Sequence, residues 1–127
     1  MQRGYLETIV GPMFAGKTSE LLKRILWIEH QGKKTLVFKP KTDKRYSNDN
    51  IVTHNNLSHH CHVIKSWQDA LKRFKLTKKN VDTLFLDEVQ FMKTKETLKN
   101  AETVLNNGIN LICAGLDQDS RGKPWET

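Results

Sequence analysis

Gly11-Pro12-Met13-Phe14-Ala15-Gly16-Lys17-Thr18 fits the pattern G-x-x-x-x-G-K-[ST] at every fixed position. A short apolar stretch, Tyr5 to Val10, precedes it, and an amphipathic run from Ser19 to Gln31 follows. That is the strand–loop–helix context the pattern requires. Gly11 and Gly16 let the backbone fold tightly around a polyphosphate, with successive N–H groups turned inward as an anion nest. The opening of the helix adds its positive dipole end. Lys17 supplies a mobile charge for the β- and γ-phosphates, and Thr18 a hydroxyl for Mg²⁺. The plainer reading, a glycine-rich turn with no ligand, leaves the flanking strand and helix unexplained.

Beyond this loop, strand and helix alternate. Leu21, Leu22, Ile25, Leu26 and Ile28 fall on one broad stripe of the first helix, which stops at Gly32. Thr35-Leu36-Val37-Phe38 reads as a short buried strand ending at Pro40. Residues 41–60 are polar without a clear period, a long irregular connection of the kind that is functional or disordered. Cys61-His62-Val63-Ile64 reads as another strand, and Ser66 with Asp69 as a capping box for a helix carrying Trp67, Ala70, Leu71 and Phe74. Thr83-Leu84-Phe85-Leu86 is a fully apolar strand. Thr94 to Asn107 reads as a helix with Leu98, Ala101 and Leu105 inward, and Ile109 to Ala114 as a last strand. The alternation predicts an α/β fold: a phosphate-loop NTPase-like parallel sheet covered by helices in three layers, residues 1–127 forming one nucleotide-binding domain.

The bulk numbers narrow the options. At 127 residues the chain suits one domain with a real core. Its net charge of +7 suits polyanionic substrates such as nucleotides, and equally nucleic acid. The bases are scattered, however, with no row of aromatics for stacking bases, so nucleic acid is not the expected partner. Two cysteines, Cys61 and Cys113, without a C-x-x-C pair argue against a disulfide framework and against a four-thiolate zinc site. No apolar run is long enough to span a bilayer and no signal segment opens the chain, so the cytoplasm is the default compartment.

The second chemical signal is Leu84-Phe85-Leu86-Asp87-Glu88, a buried strand ending in two acids. At the carboxyl end of a parallel sheet, Asp87 would hold Mg²⁺ directly or through water. Glu88, one residue on, would take a proton from an attacking hydroxyl or water. On this logic alone Asp87-Glu88 fits an ATPase as well as a kinase, and two acids capping the next helix is the bland alternative.

Four segments in order decide between them: the Pro12-Met13-Phe14 filling of the loop, Lys39-Pro40-Lys41-Thr42-Asp43-Lys44-Arg45, Asp87-Glu88-Val89-Gln90-Phe91, and Gly115-Leu116-Asp117 with Arg121 to Trp125. Together they resemble the type II (cellular-type) thymidine kinases over most of the chain. The resemblance implies transfer of the γ-phosphate of ATP to the 5′-hydroxyl of thymidine, deoxyuridine being possible, to give dTMP in nucleotide salvage for DNA synthesis. Glu88 would then be the base. Arg45 would bring positive charge to the transferring phosphoryl group. Gly11 to Thr18 and Asp87 to Gln90 would hold ATP. Thr18 and Asp87 would serve Mg²⁺, with Asp43 ordering that region near the metal. Met13, Phe91 and Leu116 match positions lining the thymidine pocket, for which ordinary packing is the alternative in Met13 and Phe91. A homotetramer is also implied.

Ser120 and Trp125 stand where the family usually has Phe, which bears on nucleoside breadth. The family further carries a lasso-like loop and a small zinc-binding domain with paired cysteines, expected beyond Thr127. The chain therefore reads as the truncated nucleotide-binding core. His54, His59, His60, Cys61 and His62 offer zinc-compatible atoms, but adjacent side chains on a strand point to opposite faces, and a solvated loop entering an edge strand is the better reading. No zinc ligand set is expected within these residues. The rival functions are a phosphate-loop ATPase and a catalytically silent nucleotide- or nucleic-acid-binding fragment.

Overall fold

The structure is a computed structural model and describes residues 3–11, 16–41, 50–52, 58–77 and 79–116. The main sheet contains β1 (Leu6–Gly11), β2 (Thr35–Pro40), β5 (His62–Ile64), β6 (Thr83–Leu86) and β7 (Asn110–Leu116). They lie in the order β1-β7-β6-β2-β5 and every pairing is parallel. The helices are α1 (Lys17–His30), α2 (Trp67–Arg73) and α3 (Thr94–Asn106). This is the α/β sheet with covering helices that the sequence predicts.

Strand alternation divides the core in two. Leu84 and Leu86 of β6, with Leu111 and Cys113 of β7, point to one face, where they meet Trp67 and Ala70 of α2 and Ala101, Val104 and Leu105 of α3. Phe85, Ile112 and Ala114 point to the other, against Leu21, Leu22, Ile25 and Ile28 of α1. Phe85, Leu84 and Leu111 are fully buried, and each such side chain contributes about 1.5–3 kcal/mol relative to exposure. Because side chains alternate, the residue after Leu86 returns to the α1 face. That residue is Asp87.

Three expectations need correction. Leu26 is not on the buried stripe of α1 but 51% exposed, and Leu98 of α3 is 43% exposed, its place in the core being taken by Thr97 and Val104. Both leucines sit at the margin of their stripes, where a 100° step carries the side chain past the sheet. Residues 41–60 are not irregular throughout: β3 (Asn50–Val52) and β4 (Ser58–His60) form a separate antiparallel hairpin. Its strands are three residues long and, among the described side chains, Ile51 carries it into the core, so no period marks it.

β1 is an edge strand of the described sheet, and Leu6 and Val10, on the α3 face, are 44% and 55% exposed. Ser66 caps α2 as expected, its hydroxyl accepting from the Asp69 amide at 3.2 Å. The return bond differs from a strict capping box, since the Asp69 carboxylate accepts from the amide of Lys65 at 2.9 Å.

Candidate active site at the carboxyl edge of the sheet

Parallel pairing sets the ends of β1, β7, β6 and β2 along one edge of the sheet. Gly11 and Leu116 are partners in the β1–β7 register, so the start of the Gly11–Thr18 motif sits beside the end of β7. The chain returns at Gly16, whose φ of 80° and ψ of 22° lie in the left-handed region. A glycine adopts that conformation without the side-chain clash other residues meet, which explains the second fixed glycine of the motif. Lys17 and Thr18 are the first two residues of α1, at the positive end of its dipole. Pro12, Met13, Phe14 and Ala15 lie outside the described residues, as do Asp43, Arg45, Ser120 and Trp125.

The strand order places β7 between β1 and β6, so Asp87 does not reach the loop through a neighbouring strand. It reaches it through α1, which lies across this face. The Thr18 hydroxyl donates to Asp87 Oδ2 at 3.4 Å, a long hydrogen bond. Asp87 Oδ1 accepts from the amide of Glu88 at 2.9 Å, and the Asp87 amide donates to the Phe38 carbonyl at 2.9 Å, fixing the turn to β2.

Asp87 is 7% exposed. Burial first, and the negative charge of Glu88 second, push its carboxyl up to about 6, while the Glu88 amide, the Thr18 hydroxyl and Lys39 pull the other way. Lys39, on β2, is a contributor that sequence reading gave no role. The signal that would have found it is the adjacency of β2 and β6, which spacing along the chain does not carry.

Glu88 has φ 53° and ψ 43°, and among the described residues no other non-glycine has a positive φ. It opens a 3₁₀ turn, Val89–Phe91, in which Phe91 N–H donates to the Glu88 carbonyl at 3.1 Å and Met92 N–H to that of Val89 at 2.9 Å. Val89 and Met92 are buried in the core on the α2 and α3 side, so packing holds the turn and with it the backbone of Glu88. Such a conformation costs roughly 1–3 kcal/mol and persists where surrounding structure over-determines it. Gln90 is half-buried, its side chain lying where a side chain on Gly115 would be. Phe91 is 54% exposed.

The structure thus brings together Gly11, Gly16, Lys17, Thr18, Asp87 and Glu88 at one edge, with Val89, Gln90 and Phe91 following in the turn and Leu116 at the end of β7. The arrangement offers an anion site at a helix start, a hydroxyl–carboxylate pair of hard oxygen donors, and a second carboxylate one residue on.

Comparison with known proteins agrees with this geometry. The profile of the family described as "Thymidine kinase" matches residues 4–127. The chain is 40% identical over 124 residues to a thymidine kinase of Pseudothermotoga lettingae, covering 98% of this chain and 65% of that protein. It is 39% identical to a thymidine kinase of Mycoplasma capricolum, covering 97% and 59%, and 39% identical to one of Pyrobaculum aerophilum, covering 96% and 65%. The chain therefore spans about six-tenths of the length of these curated relatives. With the profile matched over nearly its whole length, the chain belongs to the thymidine kinase family.

Proposed function

We propose that this chain is the nucleotide-binding core of an ATP-dependent thymidine kinase, residues 1–127 forming one phosphate-loop α/β unit. It would transfer the γ-phosphate of ATP to the 5′-hydroxyl of thymidine or deoxyuridine. The observation that carries the reading is the Thr18–Asp87 pair at the start of α1, with Glu88 beside it in a strained backbone conformation. Membership of the family supplies the substrate class.

In this reading the loop amides from Gly11 to Gly16 and the Lys17 ammonium bind the phosphates of ATP. Thr18 and Asp87 fit Mg²⁺ as hard oxygen ligands, and a divalent cation would favour the ionised form of a carboxyl that burial otherwise keeps protonated up to about pH 6. Mg²⁺, when bound, neutralises charge on the phosphates. Glu88 takes the proton of the attacking 5′-hydroxyl, from a backbone position that the buried turn Val89–Phe91 holds beside Asp87. Arg45 brings a further positive charge to the transferring group, and Asp43 orders that region. Met13, Phe91 and Leu116 line the nucleoside pocket, and Val89 and Gln90 complete the nucleotide side. The exposure of Phe91 is consistent with a residue awaiting a ligand or a further part of the protein.

A homo-oligomer and a cytoplasmic location belong to the same reading. Among the described residues no helix is long and apolar enough to cross a membrane.

The test is ADP formation from Mg-ATP with and without thymidine, in the wild type and in Glu88→Gln. The kinase reading requires nucleoside-dependent ADP and dTMP, both lost in Glu88→Gln while ATP binding persists. Hydrolysis without nucleoside would make the chain an ATPase. Salt-dependent binding to single-stranded DNA without phosphoryl transfer would make it a silent binding core.

A further inference from the structure

The β3–β4 hairpin rests on α1, and its two cross-strand partners Ile51 and His59 face the same way. Ile51 is 2% exposed and enters the cluster formed by Leu21, Leu22, Ile25 and Ile28. His59 stands beside it and reaches α1 as well, its Nε2 lying 3.1 Å from Glu29 Oε1. The other oxygen of Glu29 accepts from the Thr35 hydroxyl at the start of β2, at 2.8 Å, so the carboxylate is held from two sides. The second ring nitrogen, Nδ1, is 2.7 Å from the backbone carbonyl of His60.

Both nitrogens of His59 therefore face oxygens that carry no hydrogen. A neutral imidazole has one N–H and one lone pair, so it can satisfy only one of these contacts and sets a lone pair against the other oxygen. The doubly protonated ring satisfies both. Glu29 is the ionisable group facing His59 from α1, while β2 contributes the uncharged Thr35 through Glu29 and β3 contributes Ile51. On its own strand, the ring of His60 turns away to meet that of His62 edge-on at 4.9 Å.

We propose that the β3–β4 hairpin is latched to α1 by an imidazolium–carboxylate pair, His59 with Glu29, which closes when the ring is protonated and loosens when it loses a proton. Imidazole as a side-chain type ordinarily changes charge between about pH 5 and 8, which sets the two pH values compared in the test. The helix that receives the latch is also the one that presents Lys17 and Thr18, at its opposite end. The pair is partly exposed, at 21% and 38%, which keeps the effect modest.

Hydrogen exchange on the intact chain reads the latch directly. The amides of Asn50–Val52 and Ser58–His60, corrected for intrinsic rates, are compared at about pH 6 and about pH 8.5, with α3 amides as the reference for global stability. In the wild type the hairpin should open about two- to fivefold more at the higher pH, the scale of a partly exposed ion pair, with no matching change relative to α3. His59→Gln and Glu29→Gln, both at the surface, should open as the wild type does at high pH and lose the response. A wild-type hairpin whose protection is independent of pH would overturn the proposal, as would a pH response that survives in either variant.

Discussion

The hydroxyl of Thr18 and the carboxylate of Asp87 meet at 3.4 Å although 69 residues separate them along the chain. Two geometric facts produce this contact. Pleat alternation sends Asp87 to the same face as Phe85, and α1 covers that face with its first turn at the carboxyl edge. The helix start that follows β1 and a carboxylate from a strand two positions away are thereby joined.

Asp87 makes the protein's stability depend on pH in an unusual direction. In the folded chain its carboxyl is raised from 3.8 to about 6, so between these values the folded state binds more protons than the unfolded state. Its contribution to stability is therefore complete below about pH 4 and is lost as pH rises to 6. A rise of about two units corresponds to ~3 kcal/mol at 1.36 kcal/mol per unit, as an upper scale. Asp87→Asn, which keeps the acceptor for the Glu88 amide, should match the wild type near pH 4 and exceed it at pH 7. Urea unfolding of both proteins in metal-free buffer checks this. Equal stability at pH 7 would remove burial as the cause, and under the proposed function the variant should also lack kinase activity.

Glu88 should show the opposite preferences of stability and catalysis at a single residue. Its φ of 53° favours glycine, so Glu88→Gly relieves backbone strain while adding freedom to the unfolded chain. The net expectation is a gain of about 1 kcal/mol in thermal or urea stability. Glu88→Gln keeps the strain and removes only the negative charge that raises the Asp87 carboxyl, so at pH 7 it should gain less than the glycine variant. Under the proposed function both should lose phosphoryl transfer. A less stable glycine variant would mean that the carboxylate contributes more to the fold than the backbone costs.

Much of this site was legible in the sequence, and the parts that were not have physical reasons. The strand end at Gly11 and the helix start at Lys17 could be read because the G-x-x-x-x-G-K-[ST] pattern sets fixed residue types at fixed spacing, Pro12 to Ala15 lying outside the described residues. The apolar run Thr83 to Leu86 could be read because a strand covered on both faces has no polar alternation. The position of β7 between β1 and β6 could not, since strand order is a tertiary choice that leaves no local period. Nor could the left-handed Glu88, because local preference would place Gly or Asn there and packing by Val89 and Met92 overrides it. Ile51 alone could not announce a hairpin.

The indole of Trp67 tests the packing of α2 on α3. Its ring is 1% exposed and its N–H donates to Thr97 Oγ1 at 3.0 Å, while that hydroxyl donates to the Lys93 carbonyl at 2.9 Å. Thr97→Val keeps the volume and removes the acceptor, leaving a buried N–H without a partner. The expected loss is about 1–3 kcal/mol in urea unfolding. Thr97→Ser, which retains the hydroxyl, should recover most of it. A valine variant as stable as the wild type would mean that the indole finds another acceptor.

Gly115 offers a way to move the Gln90 end of the turn without touching Asp87 or Glu88. A side chain there would come within 2.7 Å of Val89 Cγ1 and 2.8 Å of Gln90 Oε1, both closer than van der Waals contact. Gly115 is paired with Val10 in the β1–β7 register, so its backbone cannot retreat without breaking the sheet next to the phosphate loop. The displaced atoms must therefore be the side chains of the turn. Gly115→Ala should cost about 1–3 kcal/mol of stability, the range for overpacking a filled site. Under the proposed function, which puts Val89 and Gln90 on the nucleotide side, it should also weaken ATP binding several-fold while leaving the KM for thymidine unchanged. Isothermal titration with ATP and initial rates against thymidine separate the two effects. An intact ATP site with a raised nucleoside KM would place the turn on the nucleoside side instead.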